Sequence, residues 1–526
     1  MNKRPVIYWP ACLYWVSSLT FIVLTRWLLK SQYLFHWDSV QFALALDHFD
    51  VTKHQPHPPG YIIYVGFGWL VNQLVHEPNA TFIIVSIIFS LIGFWLVVKF
   101  ARLLYGQTAG YLAGLIYLVN PAVWFHGLVA EVYIVDAVVG LAAVMMMYQY
   151  WRHHRWRDLV TAAVLLGFLG GIRQITEIIL LPALGYLLWQ NWKSLYPRRL
   201  GTVLAVLALT NLIWFVPLIM LSGGWQSYFD VVALLNKSVI VQSYRETGWA
   251  TIASNLSLFW TSITQGLPLL VPAIVLAILP YFASESKKWY PIRYPIFWFW
   301  FWVLVPGAVI LSLVLVRNPG YMMLHILVLI ILLTGALQLI FNLFAHWQPR
   351  WRWGIMGGLV VVVTASQANT FLTLPADSYY YYSTSLSSVH DVNRLLQGTF
   401  QIVRNQFDPE SSLIFIPLDV MIPGVRQFQY YLPEFNIYAY LPGLMKRAPG
   451  LPFWHVQGNT INEFVAQVPF AKSVKSVLIV GNQSNSDIYN YSQHIGDKSS
   501  YRMWKMDLTD PATRKFLSEN KLFKVE

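Results

Sequence analysis

Residues 80–101 read ATFIIVSIIFSLIGFWLVVKFA, with one charged side chain, Lys99. A helix of this length rises about 33 Å, enough to cross roughly 30 Å of hydrocarbon. Lipid offers no partner for backbone N–H and C=O groups, so a run this apolar reads as a membrane-spanning helix. Comparable runs lie on both sides of it, at 7–29, 107–125, 129–150, 159–171, 175–191, 200–221, 261–283, 295–316, 322–344 and 354–371. Two of them are short and separated only by Gly170-Gly171-Ile172-Arg173-Gln174. The sequence thus predicts an α-helical polytopic membrane protein with about 11 transmembrane helices. The composition agrees: 56% hydrophobic, 16% aromatic, only 11% charged, and a mean hydropathy of +0.49. Soluble chains carry about 25% charged residues, and disordered ones are poor in apolar residues, so both classes are excluded.

The charge pattern sets the expected orientation. The first 371 residues hold 22 Lys and Arg against 11 Asp and Glu, whereas the rest are balanced at 14 and 13. The basic excess therefore sits between apolar runs, where it fixes topology and meets anionic lipid, and it does not point to nucleic acid. With a cytoplasmic N-terminus the inner loops collect 15 basic residues and the outer loops six: Lys30, Lys53, Arg173, Lys237, Arg245 and Arg317. This pattern predicts a plasma-membrane protein whose C-terminal part is extracytoplasmic. The first run follows Met-Asn-Lys-Arg without a small-residue cleavage site and is expected to remain as an anchor. The apolar stretch 60–75 follows Pro58-Pro59, is short for a span, and is read as a helix lying along the outer surface.

Two domains are expected: a transmembrane domain, 1–371, and a small extracytoplasmic α/β domain, 372–526. In the second, SLIFIP (412–417) and VKSVLIV (474–480) read as buried strands, and 425–431 and 511–520 as helices, the latter capped by Asp510 ahead of Pro511. The single cysteine, Cys12, excludes an intrachain disulfide.

The first external loop carries more chemistry than a connector needs. Residues 31–61, SQYLFHWDSVQFALALDHFDVTKHQPHPPGY, concentrate acids and imidazoles directly after a span. Phe42, Leu46 and Phe49 have the spacing of an apolar helical stripe while Asp38, Gln41 and Ala45 mark another face, which predicts an amphipathic helix at the membrane surface with Asp38 near the headgroups. A carboxylate there can accept a proton from an acceptor hydroxyl. Asp38 followed by Gln41 is equally an N-cap pattern, so both readings stand. Glu131, in Ala130–Asp136 at the outer start of another span, is the second candidate acid, because ionisable groups at such depth usually face a cavity. Its bland alternative is a solvated helix start whose negative charge suits the helix dipole.

Arg173, Arg245 and Arg317 are basic residues on the face where these are scarce, and guanidinium groups hold phosphate in a bidentate fork. Contact with lipid headgroups would account for them equally. His36, His54 and His57, with Tyr61 and Tyr321, are candidate substrate contacts. The histidines lack the helical spacing of a zinc site and Pro58-Pro59 interrupts any helix, so no metal ligand set is assigned. Nucleotide-binding signatures of the Walker and Rossmann types are also missing.

Taken in order, HWDSVQFALALDHF (36–49), HPPGYIIYVGFGWL (57–70), AEVYIVDA (130–137), LGGIRQITEIILLP (169–182) and, more weakly, RNPGYMMLHILVL (317–329) resemble the GT-C superfamily of membrane glycosyltransferases, in particular bacterial relatives of protein O-mannosyltransferases. The resemblance implies a GT-C fold and inverting transfer of a sugar from a polyprenyl-phosphate donor to an acceptor glycan, lipid or protein, with no cofactor and no metal expected. It implies Asp38 as base or acceptor-positioning group, Glu131 as the second-loop acid and Arg317 at the donor phosphate. The eukaryotic enzymes carry Asp-Glu in the first loop where this chain has Asp38-Ser39, and their central luminal insertion is missing here. Two other classes fit the composition: a transporter or flippase of lipid-linked sugars, and a polysaccharide polymerase or ligase of another membrane fold. A transporter would place polar groups at mid-membrane and show repeats, whereas these cluster at one surface. A polymerase would put its main external loop mid-chain, where 222–260 lies.

Overall fold

The computed structural model describes residues 9–237, 242–270, 294–314, 318–343, 347–377, 383–417, 424–440, 451–481, 487–498, 501–520 and 523–525. Its first part is helical throughout: α1 (Trp9–Leu28), α2 (Trp37–Asp47), α3 (Ile62–Val75), α4 (Pro78–Tyr105), α5 (Gln107–Val119), α6 (Pro121–His126), α7 (Tyr133–His153) and α8 (Trp156–Gln190). There follow α9 (Tyr196–Leu221), α10 (Trp225–Leu235), α11 (Gln242–Thr247), α12 (Ala250–Gly266), α13 (Tyr294–Val314), α14 (Met323–Leu343) and α15 (Pro349–Thr373). Among the described residues, eight helices are long and apolar enough to cross a membrane: α1, α4, α7, α8, α9, α13, α14 and α15. Their outward faces are apolar, as with Leu209, Ile213 and Met220 on α9, all exposed. Such surfaces belong against lipid, and the chain is an integral, multi-pass membrane protein.

Local chemistry sets the helix limits and corrects some expected ones. α4 begins where the Glu77 side chain accepts from the N–H groups of Asn79 and Ala80, with Pro78 in the first turn. The expected span 107–125 is two helices. Asn120, ahead of Pro121, leaves helical geometry and its side chain accepts from the Val123 N–H, starting α6 afresh. The next span begins at Tyr133, not 129, so Glu131 sits in the turn before α7. The expected span 261–283 lies partly outside the described residues.

α8 is the helix whose shape places the site. Drawn straight, its 35 residues would separate its ends by about 52 Å. Instead Trp156 at its start and Asn191 just past its end line one cleft with Arg199. The reversal is at Arg173, whose backbone is extended (φ −159°, ψ 104°). Two antiparallel arms result, as the Gly-Gly-Ile-Arg-Gln interruption predicts. α9 packs along both: Trp214 Nε1 donates to the Gly167 carbonyl (2.7 Å) and Asn211 Nδ2 to Glu177 Oε1 (2.8 Å).

The C-terminal part is an α/β domain. α16 (Leu386–Gln406) is capped by Ser385, whose side chain accepts from the Ser388 N–H. Then come β1 (Ser412–Ile416), α17 (Val425–Tyr431), β2 (Asn436–Tyr440), β3 (Phe453–Gln457), β4 (Ile461–Val465), β5 (Val468–Phe470), β6 (Ser476–Gly481), β7 (Ser492–Lys498), β8 (Tyr501–Asp507), α18 (Pro511–Glu519) and β9 (Phe523–Val525). Seven strands form one sheet in the order β4-β3-β2-β1-β6-β8-β7, with β5 and β9 paired separately. β1 and β6, the two strands legible as apolar runs, lie side by side and parallel at its centre. Central strands covered on both faces read as continuous apolar stretches. The domain does not hang free. Phe35, Trp124 and Phe371 of the membrane part share one buried core with Val389, Leu396, Phe400 and Phe428.

Candidate active site

The acid-rich first loop folds into α2, a short 3₁₀ turn at Val51–Lys53, and α3. α2 is not an amphipathic surface helix. Ser39 through Ala45 are all buried, because α17 of the C-terminal domain covers the side that would otherwise face water. Nor is Asp38 its cap. His36 is the N-cap: its Nδ1 accepts from the Asp38 N–H (3.3 Å), while its own N–H donates to Ser39 Oγ (3.3 Å). This leaves the Asp38 carboxylate outside the cap, 28% exposed and flanked by two imidazoles, with His36 Nδ1 at 3.6 Å and His57 Nδ1 at 3.5 Å.

The loop that brings His57 back to Asp38 is pinned on its far side. The Pro59 carbonyl accepts from Tyr228 Oη (3.0 Å), and the Tyr61 hydroxyl lies 3.1 Å from His57 Nε2. Gly60 has φ +115°, and a Cβ there would stand 2.5 Å from Leu218. Both the backbone region and the contact demand glycine. Gly60→Ala is therefore expected to destabilise the protein by about 2 kcal/mol, read as a lower melting temperature in detergent together with weaker activity.

These contacts set the charge states. Burial alone would raise the Asp38 pKa, but the charges of His57, His36 and Arg173 and the His36 hydrogen bond outweigh it and hold the carboxyl well below the usual range. Burial also works to lower His36, yet the hydrogen bond and charge of Asp38, with a contribution from Glu131, leave it raised. At His57 burial prevails, aided by His36 and Arg173 against Asp38, and its pKa is lowered. Burial drives the Tyr61 hydroxyl well up. At neutral pH the site thus presents an ionised carboxylate beside a neutral His57.

Arg173 enters from the fold-back of α8. Its guanidinium is 3.6 Å from Asp136 Oδ2, whose second partner is the Thr176 hydroxyl (2.7 Å). Its face lies 3.9 Å from the Tyr321 ring centroid and 5.1 Å from that of Tyr133. The edge of His126 meets Tyr133, and His126 Nδ1 pairs with Glu131 Oε2 at 3.1 Å, both side chains buried. Among the described residues Glu131 pairs with His126 and not with Asp38, and its charge reaches His36. One contiguous cluster therefore holds His36, Asp38, His57, Tyr61, Glu131, Arg173 and Tyr321, and adds Asp136, which the sequence ranked below Glu131, and His126, Tyr133 and Thr176, which it did not assign. Asp136 and Tyr133 lie inside the quoted 130–137 stretch, but nothing in an apolar run shows that an arginine 37 residues on will face it. Gln41, one turn along α2 from Asp38, and Tyr64 are fully buried, and neither the Gln41 amide nor the Tyr64 hydroxyl has a hydrogen-bond partner among the described residues.

The remaining candidates stand apart. Arg245 is exposed on α11 and joins none of these contacts among the described residues. Arg317 lies outside the described residues. His54 contributes through its backbone, in the left-handed region at the end of the 3₁₀ turn. Among the described residues no group of three or more His, Cys, Asp or Glu side chains could hold a metal ion.

Residues 57–219, which include His57, Tyr61, Glu131, Asp136 and Arg173, match the family described as dolichyl-phosphate-mannose-protein mannosyltransferase. In fold the chain is similar to ArnT from Cupriavidus metallidurans bound to undecaprenyl phosphate, at 14% identity and a TM-score of 0.55, over 94% of this chain and 97% of that one. The apo state of the same protein gives 13% and 0.52 over the same shares. An oligosaccharyltransferase of Archaeoglobus fulgidus, tethered to an acceptor peptide, matches at 12% and 0.49, over 81% of this chain and 63% of that one. No curated protein matches the chain in sequence. The chain has the fold of ArnT, the GT-C type expected from the sequence. Over 57–219 its sequence resembles the mannosyltransferase family.

Proposed function

We propose that the protein transfers a sugar from a polyprenyl-phosphate donor to an acceptor hydroxyl at the extracytoplasmic face of the plasma membrane, with inversion at the anomeric carbon. The observation that carries this is the Asp38 carboxylate: ionised, part-exposed, held between two imidazoles, and within electrostatic reach of Arg173. Asp38 takes the acceptor proton as the acceptor oxygen bonds to the anomeric carbon. The bond from that carbon to the phosphate oxygen breaks, and its electron pair leaves with the polyprenyl phosphate. Arg173, braced by Asp136 and two tyrosine faces, offsets the departing charge. Glu131, fixed by His126, acts through His36. Gln41 and Tyr64 offer buried polar atoms that sugar hydroxyls would satisfy. The undecaprenyl phosphate bound by the similar ArnT supports a polyprenyl-phosphate donor. Acceptors remain a class: glycan, lipid or protein hydroxyls.

The test is transfer from a panel of short-chain polyprenyl-phosphate sugars to membrane acceptors by the purified full-length protein. At least one donor is expected to be turned over, and turnover is expected to persist in excess chelator, since the scheme uses protein cations and no resident metal. Turnover of none would overturn the reading. The pH dependence is a second check. Asp38 is depressed, so it stays ionised above about pH 4 and does not supply a limb near neutrality. His57 is lowered, so the acid limb of kcat/KM is expected below the ordinary histidine value of about 6.5. His57→Asn, which cannot titrate, should remove that limb. A limb unchanged in this variant would exclude His57 as its source.

A further inference from the structure

Arg426 belongs to the C-terminal domain, on α17, and its side chain is fully buried. Burying a guanidinium is costly unless its donors are used. Here one of its nitrogens is used across the domain boundary and another within the helix. Nη2 donates to the carbonyls of Lys53 (2.5 Å) and His54 (3.4 Å), Nη1 donates to Gln429 Oε1 (2.6 Å), and the face lies 4.4 Å from the Trp454 ring centroid. Asn462 Nδ2 donates to the same Lys53 carbonyl (3.3 Å). At the other end of the same helix, the Tyr431 hydroxyl accepts from the Leu34 N–H (2.7 Å). One seven-residue helix therefore grips the first loop both before α2 and after it. The segment it holds is itself tight, with Asp50 and Gln55 exchanging both backbone hydrogen bonds, and it leads within two residues to His57.

We propose that Arg426 is a positioning residue for the transfer reaction: by fixing the carbonyls of Lys53 and His54 it sets His57 against Asp38, making the C-terminal domain part of the catalytic assembly. The proposal rests on the reading of Asp38 and His57 given above. Guanidinium suits the task because its rigid fork anchors Nη1 on Gln429 while Nη2 holds both carbonyls, which a lysine ammonium does not reproduce.

The experiment uses the full-length protein in detergent, as wild type, Arg426→Met, Arg426→Lys, His57→Ala and the Arg426→Met/His57→Ala pair. Hydrogen exchange of peptides covering 50–57 is expected to speed up about tenfold in both Arg426 variants, with peptides of α14 unchanged. Arg426→Met is expected to lower kcat about tenfold at unaltered donor KM, and to add nothing in the His57→Ala background. Arg426→Lys serves as the variant if Arg426→Met does not fold. Unchanged exchange over 50–57, or Arg426 and His57 effects that multiply, would overturn the proposal. The exchange readout needs no activity, so a failed transferase reading and a failed clamp give different results.

Discussion

Asp38→Asn is expected to lower kcat by about 10²–10⁴-fold while donor affinity stays within about twofold. The structure makes this substitution unusually clean. α2 starts from the His36 cap and its Ser39 partner, so the Asp38 side chain can change without loss of the helix start. Asparagine keeps the size and hydrogen-bonding capacity, and removes the negative charge and the basicity. Its neighbours also tolerate the change. Loss of the Asp38 charge removes most of what raises His36, leaving the smaller contribution of Glu131, and removes what opposes burial at His57, so both imidazoles become more readily neutral. A melting temperature close to wild type is thus expected beside the lost turnover. Asp38→Glu, which keeps the base but moves it by one methylene, should recover part of the rate. Wild-type turnover by the Asn variant would remove Asp38 from the chemical step and direct attention to Glu131.

The fold was legible wherever the signal is local. Apolar length gave most of the spans, the Gly170–Gln174 interruption gave the fold-back of α8, and β1, β6, α17 and α18 stand close to their expected limits. Local signals failed where a distant segment decides the outcome. Phe42, Leu46 and Phe49 made α2 look amphipathic, because nothing in 31–61 reveals that α17, nearly 400 residues away, will cover its other side. The Asp38-to-Gln41 spacing suggested a cap, yet His36 performs that role, an imidazole acceptor that the usual Ser, Thr, Asp and Asn preferences pass over. For the site, residue types narrowed the search to the right loops and to Arg173, but pairing did not follow. Whether Arg173 meets a ligand, a headgroup or an acid within a span depends on which helix the fold-back packs against, and that helix is α7, with Asp136.

That pair sets the second large effect. Arg173→Leu is expected to cost about 3–5 kcal/mol in stability, because it leaves the Asp136 charge buried without its partner. Transfer would disappear with it. Lost activity in this single variant would therefore say nothing about phosphate binding. The informative protein is the pair Arg173→Leu/Asp136→Leu, in which both buried charges are gone and apolar groups fill the space. Such replacements of buried ion pairs are often neutral or stabilising, so its melting temperature should return to near the wild-type value. If Arg173 serves only to hold α7 against the fold-back of α8, turnover returns with stability. If it offsets the charge of the leaving phosphate, the refolded pair stays at least about a hundredfold below wild type, with Asp38 and its imidazoles still in place. The second outcome is expected. Arg173 lies within electrostatic reach of Asp38, His57 and Tyr61, and its guanidinium sits against the Tyr321 and Tyr133 rings.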